Sequence, residues 1–122
     1  MQRTFTKRIA PFVEVELKNA KQARSAGDPL QEFNHLERAH VLGQESTYWH
    51  VKVHALMLVW AFRNGSAREA LGQVFRIIGA ATKTAFGLVP QGNTGGANVS
   101  PVKKMPIAPD LAALIQRAKS GV

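Results

Sequence analysis

Apolar residues recur every three to four positions through the N-terminal two thirds of the chain, a period that predicts helices joined by short turns. In the first stretch Phe5, Ile9, Phe12, Val13, Leu17, Ala20 and Ala23 share one face, so a helix over residues ~4–26 is predicted. Thr4 or Thr6 can cap its start, and Gly27 suits the position just past its end. Asp28-Pro29 opens a second helix, with proline in the first turn where its missing N–H costs nothing. That helix runs to about Leu42 and closes at Gly43. A third begins at Ser46 or Thr47, reaches Arg63 and stops at Asn64-Gly65. Ser66 caps a fourth, with Glu69 as its capping-box partner and Leu71, Val74, Phe75 and Ile78 as its apolar stripe. It fades near Ala85-Phe86-Gly87. Turns this short make neighbouring helices antiparallel.

The texture changes after Leu88. From Val89 to Pro101 the chain is rich in glycine, asparagine and proline, which reads as a loop. An extended stretch from Val102 to Pro109 then leads into a short helix, Asp110 to Lys119. Val99, Val102, Met105, Ile107, Leu111, Leu114 and Ile115 in this tail imply that it wraps back onto the helices before it. The expected fold is therefore all-α, with two antiparallel helical hairpins over residues 1–87. Residues 88–122, a loop and a short helix, pack on them within one domain. Either a four-helix bundle or a tetratricopeptide-like stack satisfies this pattern. The segment from Ala20 through Ala26-Gly27-Asp28 to His40 resembles tetratricopeptide repeats, but the large aromatic near the start of helix A and the closing proline are missing.

Composition narrows the function classes. A chain of 122 residues supports one modest core. With no cysteine, disulfides, thiolate metal sites and thiol nucleophiles are excluded, as suits a reducing cytoplasm. The basic N-terminal segment lacks the apolar run of a secretory signal. The longest apolar run, Ala55 to Phe62, is far short of a membrane span. A soluble cytoplasmic protein is expected. The net charge of +8 raises nucleic acid as a partner, and Arg3, Lys7, Lys18 and Lys21 fall on one side of the first helix. The remaining basic residues are scattered, with no RNP-like aromatics, zinc-finger spacing or recognition helix. Nucleic acid is not the expected partner, whereas a protein partner or self-association is compatible with the chain.

The chemistry concentrates in one region, since all four histidines lie between residues 35 and 54. On a helical wheel Glu16 falls in the apolar stripe of the first helix. Glu37 and His40 share the apolar face of the second with Leu30, Phe33, Leu36 and Val41, and their i, i+3 spacing lets both reach one point. His50 and His54 are one turn apart on the third, an arrangement that can chelate an ion. A carboxylate in a core must be paired, protonated or cation-bound. Glu16, Glu37, His40, His50 and His54 are therefore candidate ligands for a transition metal: zinc, iron, manganese, copper, nickel or cobalt. The second Glu-x-x-His of a symmetric di-iron site is absent. No general base stands apart from these groups, so no reaction is assigned. His35 points the other way, with Gln31 and Arg38, and is expected to be exposed. The competing interpretation is a tetratricopeptide-like interaction module. Its buried Glu and His residues would form a structural network, with Arg24 or Tyr48 as partners. Tyr48, Trp49 and Trp60 read as core.

In the loop Gly92 to Asn98, three glycines and two asparagines permit positive φ, so Asn93, Thr94, Gly95, Gly96 and Asn98 could form an anion-binding nest or a lid over the histidines. Ser100 has no evident activating partner. At His35-Leu36-Glu37-Arg38-Ala39-His40-Val41-Leu42-Gly43-Gln44, and again at Gly92-Asn93-Thr94-Gly95-Gly96-Ala97-Asn98-Val99-Ser100-Pro101, the chain resembles a small bacterial family catalogued as a domain of unknown function. The resemblance covers essentially the whole chain. It implies a bacterial single-domain protein and brings no activity, cofactor or site residue with it.

Overall fold

Each predicted helix forms, and the turns between the first four fall at the predicted signals; the expected end of the fourth, near Ala85-Phe86-Gly87, lies outside the described residues. The computed structural model describes residues 4–83, 92–97 and 104–121. Helix α1 spans Phe5–Ser25, with Thr4 Oγ1 accepting from the Lys7 N–H. Gly27, at φ +75°, turns the chain into Asp28, whose Oδ1 accepts from the Gln31 N–H at 3.0 Å and caps α2, Pro29–Gly43. Ser46 caps α3, Thr47–Arg63, by accepting from the Trp49 N–H at 3.3 Å. Ser66 does the same for α4, Ala67–Lys83, through the Glu69 N–H. Helix α5 is Pro109–Ser120, closed by Gly121 in the left-handed region.

Helix α1 packs on α2, α2 on α3 and α3 on α4, while α1 also touches α3. The core lies between the first three helices, where Ile9, Val13, Leu36, Leu42, Val53 and Met57 interlock. Gly43 lets the α2–α3 turn close: a Cβ there would stand 2.6 Å from Trp49 Cβ. The Trp49 ring is buried behind it and donates its indole N–H to the Thr6 carbonyl at 3.0 Å. Trp60 is half-buried, but Tyr48 is exposed. Being next to Trp49 on the helix, it projects away from the core that Trp49 enters, so its expected place in the core is not borne out.

The tail helix does return. Helix α5 packs on α1 and α2 through Leu111, Ile115 and Ala118. Polar ties reinforce it, with Arg8 donating to the Ala118 carbonyl, Arg38 to Asp110, and Lys119 paired with Glu45 at 2.8 Å. Val99 and Val102, which the sequence also assigned to this packing, lie outside the described residues.

Helix α4 departs from expectation. Leu71, Val74, Phe75 and Ile78 form one stripe, but all four face outward and are exposed. The inner face instead carries Gln73 and Ala80, both buried. Among the described helices α4 packs only on α3, so the face turned inward is decided by what it meets there.

Replacing Leu111 with alanine should lower stability by about 2–4 kcal/mol, the usual cost of emptying a buried leucine site. Urea denaturation checks this, and an unchanged midpoint would show that α5 is a detachable arm.

Candidate metal centre

The histidine cluster is built from three helices and a loop. His40 is carried by the last turn of α2, His50 and His54 by successive turns of α3. All three are buried. Their rings meet edge to face, with centroids 4.8 Å apart for His40 and His50, and 4.6 Å for His40 and His54. The candidate ligand atoms of the three lie within 4.8 Å of one another, close enough to hold a metal ion.

The hydrogen bonds behind the rings fix which nitrogens carry protons. His40 Nδ1 is 2.7 Å from the Asn93 carbonyl, which can only accept, so His40 donates from Nδ1. Gln73 donates its amide N–H groups to Glu69 Oε2 at 2.7 Å and to the Gly95 carbonyl at 2.9 Å. Its Oε1 therefore faces His54 Nδ1 at 2.6 Å as an acceptor, and His54 also donates from Nδ1. With one proton on each neutral ring, both Nε2 atoms are bare lone pairs. They face each other at 3.1 Å.

Protonation is a poor answer to that confrontation. Burial pushes the His50 imidazole down to about 3, with the neighbouring His54 adding to the effect. Burial likewise lowers His54 to about 4, against the opposing hydrogen bond from Gln73. His40 falls well below its ordinary range, first by burial and then through His54 and His50. The Arg76 guanidinium depresses both His40 and His54 further and is itself offset by the Glu69 carboxylate. At neutral pH these are three neutral, buried imidazoles.

Loop residues 92–97 close over this cluster. Gly95, at φ +88°, lies directly against the His40 ring, and a Cβ there would stand 2.6 Å from His40 Cδ2. The loop is held by side chains from below. The Gly92 N–H donates to Gln44 Oε1 at 3.1 Å, the Gly95 N–H to Asn93 Oδ1 at 2.9 Å, and the Ala97 N–H to the Glu69 carboxylate at 2.9 Å. These amides already have acceptors, so they form no open anion nest. Of the loop residues, Gly95 lies on the His40 ring and the Asn93 carbonyl meets His40 Nδ1, while Thr94 stands beside Glu37. Asn98 and Ser100 lie outside the described residues.

The two candidate carboxylates go elsewhere. Glu16 is buried but accepts from Arg38 at 3.2 Å and pairs with His35 Nδ1 at 2.9 Å. Neither Arg24 nor Tyr48 is its partner. His35, expected to be exposed, is half-buried because it bridges Glu16 and Gln31, with 3.2 Å to the latter. Glu37 borders Thr94 rather than joining the histidines. Burial raises its carboxyl above the usual range, the Thr94 hydroxyl opposes this, and the Glu69 charge adds to it.

Sequence reasoning missed Gln73, Glu69 and the Asn93 carbonyl as the groups behind the rings. Glu69 was assigned to a capping box, yet the Ser66 N–H goes to the Ala61 carbonyl and the Glu69 carboxylate serves Gln73 and the loop. The one available signal was Gln73 itself, a lone amide opposite the apolar stripe of its helix. Another buried carboxylate was also missed: Glu32, which pairs with the exposed Arg63 at 2.7 Å.

In the metal-free protein the folded state keeps these rings neutral, while an unfolded histidine protonates near 6.5. The unfolded chain then binds more protons. Stability should be full above about pH 6.5 and fall as pH drops toward about 4, by up to about 1.4 kcal/mol per pH unit for each ring. Urea midpoints measured at descending pH in the presence of a chelator would show the decline, and a flat profile would mean the rings are solvated.

No curated protein and no solved structure matches the chain. A family model described as "Protein of unknown function (DUF3703)" matches residues 7–115, which takes in the three histidines and the loop above them. The chain belongs to that family.

Proposed function

We propose that His40, His50 and His54 bind one transition-metal ion through imidazole nitrogens, and that the protein serves in cytoplasmic metal handling in a bacterium. One observation carries this reading: His40 Nε2 and His54 Nε2 face each other bare at 3.1 Å while both Nδ1 atoms are committed behind them. Two ligands of a tetrahedral ion at about 2.0–2.1 Å stand roughly 3.3 Å apart, so this separation suits a shared ion. Ligating histidines ordinarily donate their second N–H to a carbonyl or carboxylate-linked group, which fixes tautomer and ring orientation. Asn93 and Gln73 do that here. His50, with a ring nitrogen within 4.8 Å of the other two ligand atoms, completes the set.

Three nitrogens with no carboxylate among them favour zinc, copper, nickel or cobalt, and iron(II) less so; manganese fits worst. Three protein ligands also leave a fourth position for water or a transferred group. Glu37 and Glu69 supply negative charge near the site without binding the ion, and Glu69 acts through Gln73. No base separate from these groups is apparent, so ion binding itself is the activity proposed.

The interaction-module reading draws support from a different observation, the stacked hairpins and the outward apolar face of α4. It makes the histidines structural, with the apo protein already at full stability.

Tag-free protein should gain thermal stability with one equivalent of zinc, copper, nickel or cobalt, because the unfolded chain lacks the site. His54→Ala should abolish the gain, and Gln73→Ala should weaken affinity by roughly 10–100-fold through loss of ring orientation. Glu37→Gln should weaken binding slightly and leave the apo melting temperature unchanged. No bound metal and no thermal shift with any of these ions would sink the proposal and leave the interaction module standing.

A further inference from the structure

Helix α4 is amphipathic in the wrong sense for a monomer. Its inner face carries Gln73 and Glu69, which fix the His54 tautomer and hold the loop. The outer face carries the apolar stripe, with Leu71 65%, Val74 46%, Phe75 74% and Ile78 62% exposed. Nothing among the described helices covers it, since α4 touches only α3. Phe62 near the end of α3, at 72% exposure, adds a further large apolar side chain.

We propose that α4 is the interface of a two-fold homodimer, with the Leu71–Val74–Phe75–Ile78 stripe of one copy packed on the same stripe of the second. The spacing of the stripe suits a helical partner, because i, i+3, i+4 and i+7 form a continuous ridge. Its symmetry favours a second copy over an unrelated helix. The stripe is centred between Val74 and Phe75. An antiparallel two-fold pair therefore places Val74 and Phe75 at the axis and sets Leu71 of each copy against Ile78 of the other. Self-complementarity of this kind is what an isologous contact requires. The area is sufficient as well. The four side chains expose on the order of 500 Å² per chain, so pairing would bury roughly 1,000 Å², the size at which specific interfaces begin. A patch that large is at the upper end of what a soluble monomer leaves uncovered.

The arrangement also accounts for the inversion. Polar residues turned inward toward the histidines leave the apolar face outward, and dimerisation is the step that buries it. The inference does not rest on the metal reading, because the stripe faces outward whichever role the histidines have.

Sedimentation of the tag-free full chain with a chelator present, from about 1 to 100 µM, is the direct test. The expected mass is twice 13.3 kDa. Phe75→Asp should return the monomer mass and weaken association at least about 100-fold, as loss of a central aromatic anchor does. Its helical circular dichroism should be unchanged, since the residue is exposed in one copy. The chain has no cysteine, so Val74→Cys, which keeps Phe75 in place, should oxidise to a disulfide-linked dimer across the axis, while Val15→Cys, on the exposed side of α1, should not. A wild-type monomer throughout that range overturns the proposal. So does a dimer that survives Phe75→Asp, or a monomer that instead partitions onto phosphatidylglycerol vesicles through α4.

Discussion

Two unprotonated imidazole nitrogens held 3.1 Å apart in the buried interior are the constraint around which this fold is arranged. Such a contact is repulsive unless something positive lies between the lone pairs. It persists because each ring is anchored from behind, His40 by the Asn93 carbonyl and His54 by Gln73. Gln73 in turn is oriented by Glu69 and by the Gly95 carbonyl. The chain of hydrogen bonds thus passes from α2 and α3 through α4 to the loop and back to His40. Removing one member would leave buried polar groups without partners, which costs more than an ordinary surface hydrogen bond contributes.

This network explains features that look separate. The loop sits tightly because glycine at position 95 lets the backbone lie on an imidazole face that any side chain would meet. The Ala97 N–H is drawn down by the same carboxylate that orients Gln73. Helix α4 presents its polar face inward because Gln73 must reach His54. The other helices follow the ordinary rule, in which the apolar stripe faces the core; α4 reverses it and leaves that stripe exposed.

The buried charges outside the cluster behave differently. Glu16 is satisfied by His35 and Arg38, and Arg38 also reaches Asp110 on α5. Glu32 is satisfied by Arg63. These pairs join α1 to α2, α2 to α5 and α2 to α3. They specify how the helices register, with no bare donor or acceptor left to attract a ligand. A carboxylate on an apolar face thus has two outcomes, and the presence of a cation from the next helix decides between them.

Local signals in the chain determined the helices. Thr4, Asp28, Ser46 and Ser66 cap them, Gly27 and Asn64-Gly65 end them, and the 3.6-residue period fills them, because capping and periodicity act within a few residues. The three histidines were legible for the same reason: i, i+4 spacing puts His50 and His54 on one face, and His40 falls on the apolar side of its own helix. Tertiary structure alone decided the rest. Whether Glu16 met a metal or Arg38 depended on how α1 sits on α2, which no single-helix wheel contains. Glu69 had two chemically sensible uses, a cap or a loop anchor, and only the arrival of residue 97 selected one. Periodicity likewise defines that α4 has an apolar face without defining which way it turns, because a stripe buried against its own core and one buried against a neighbour have the same spacing.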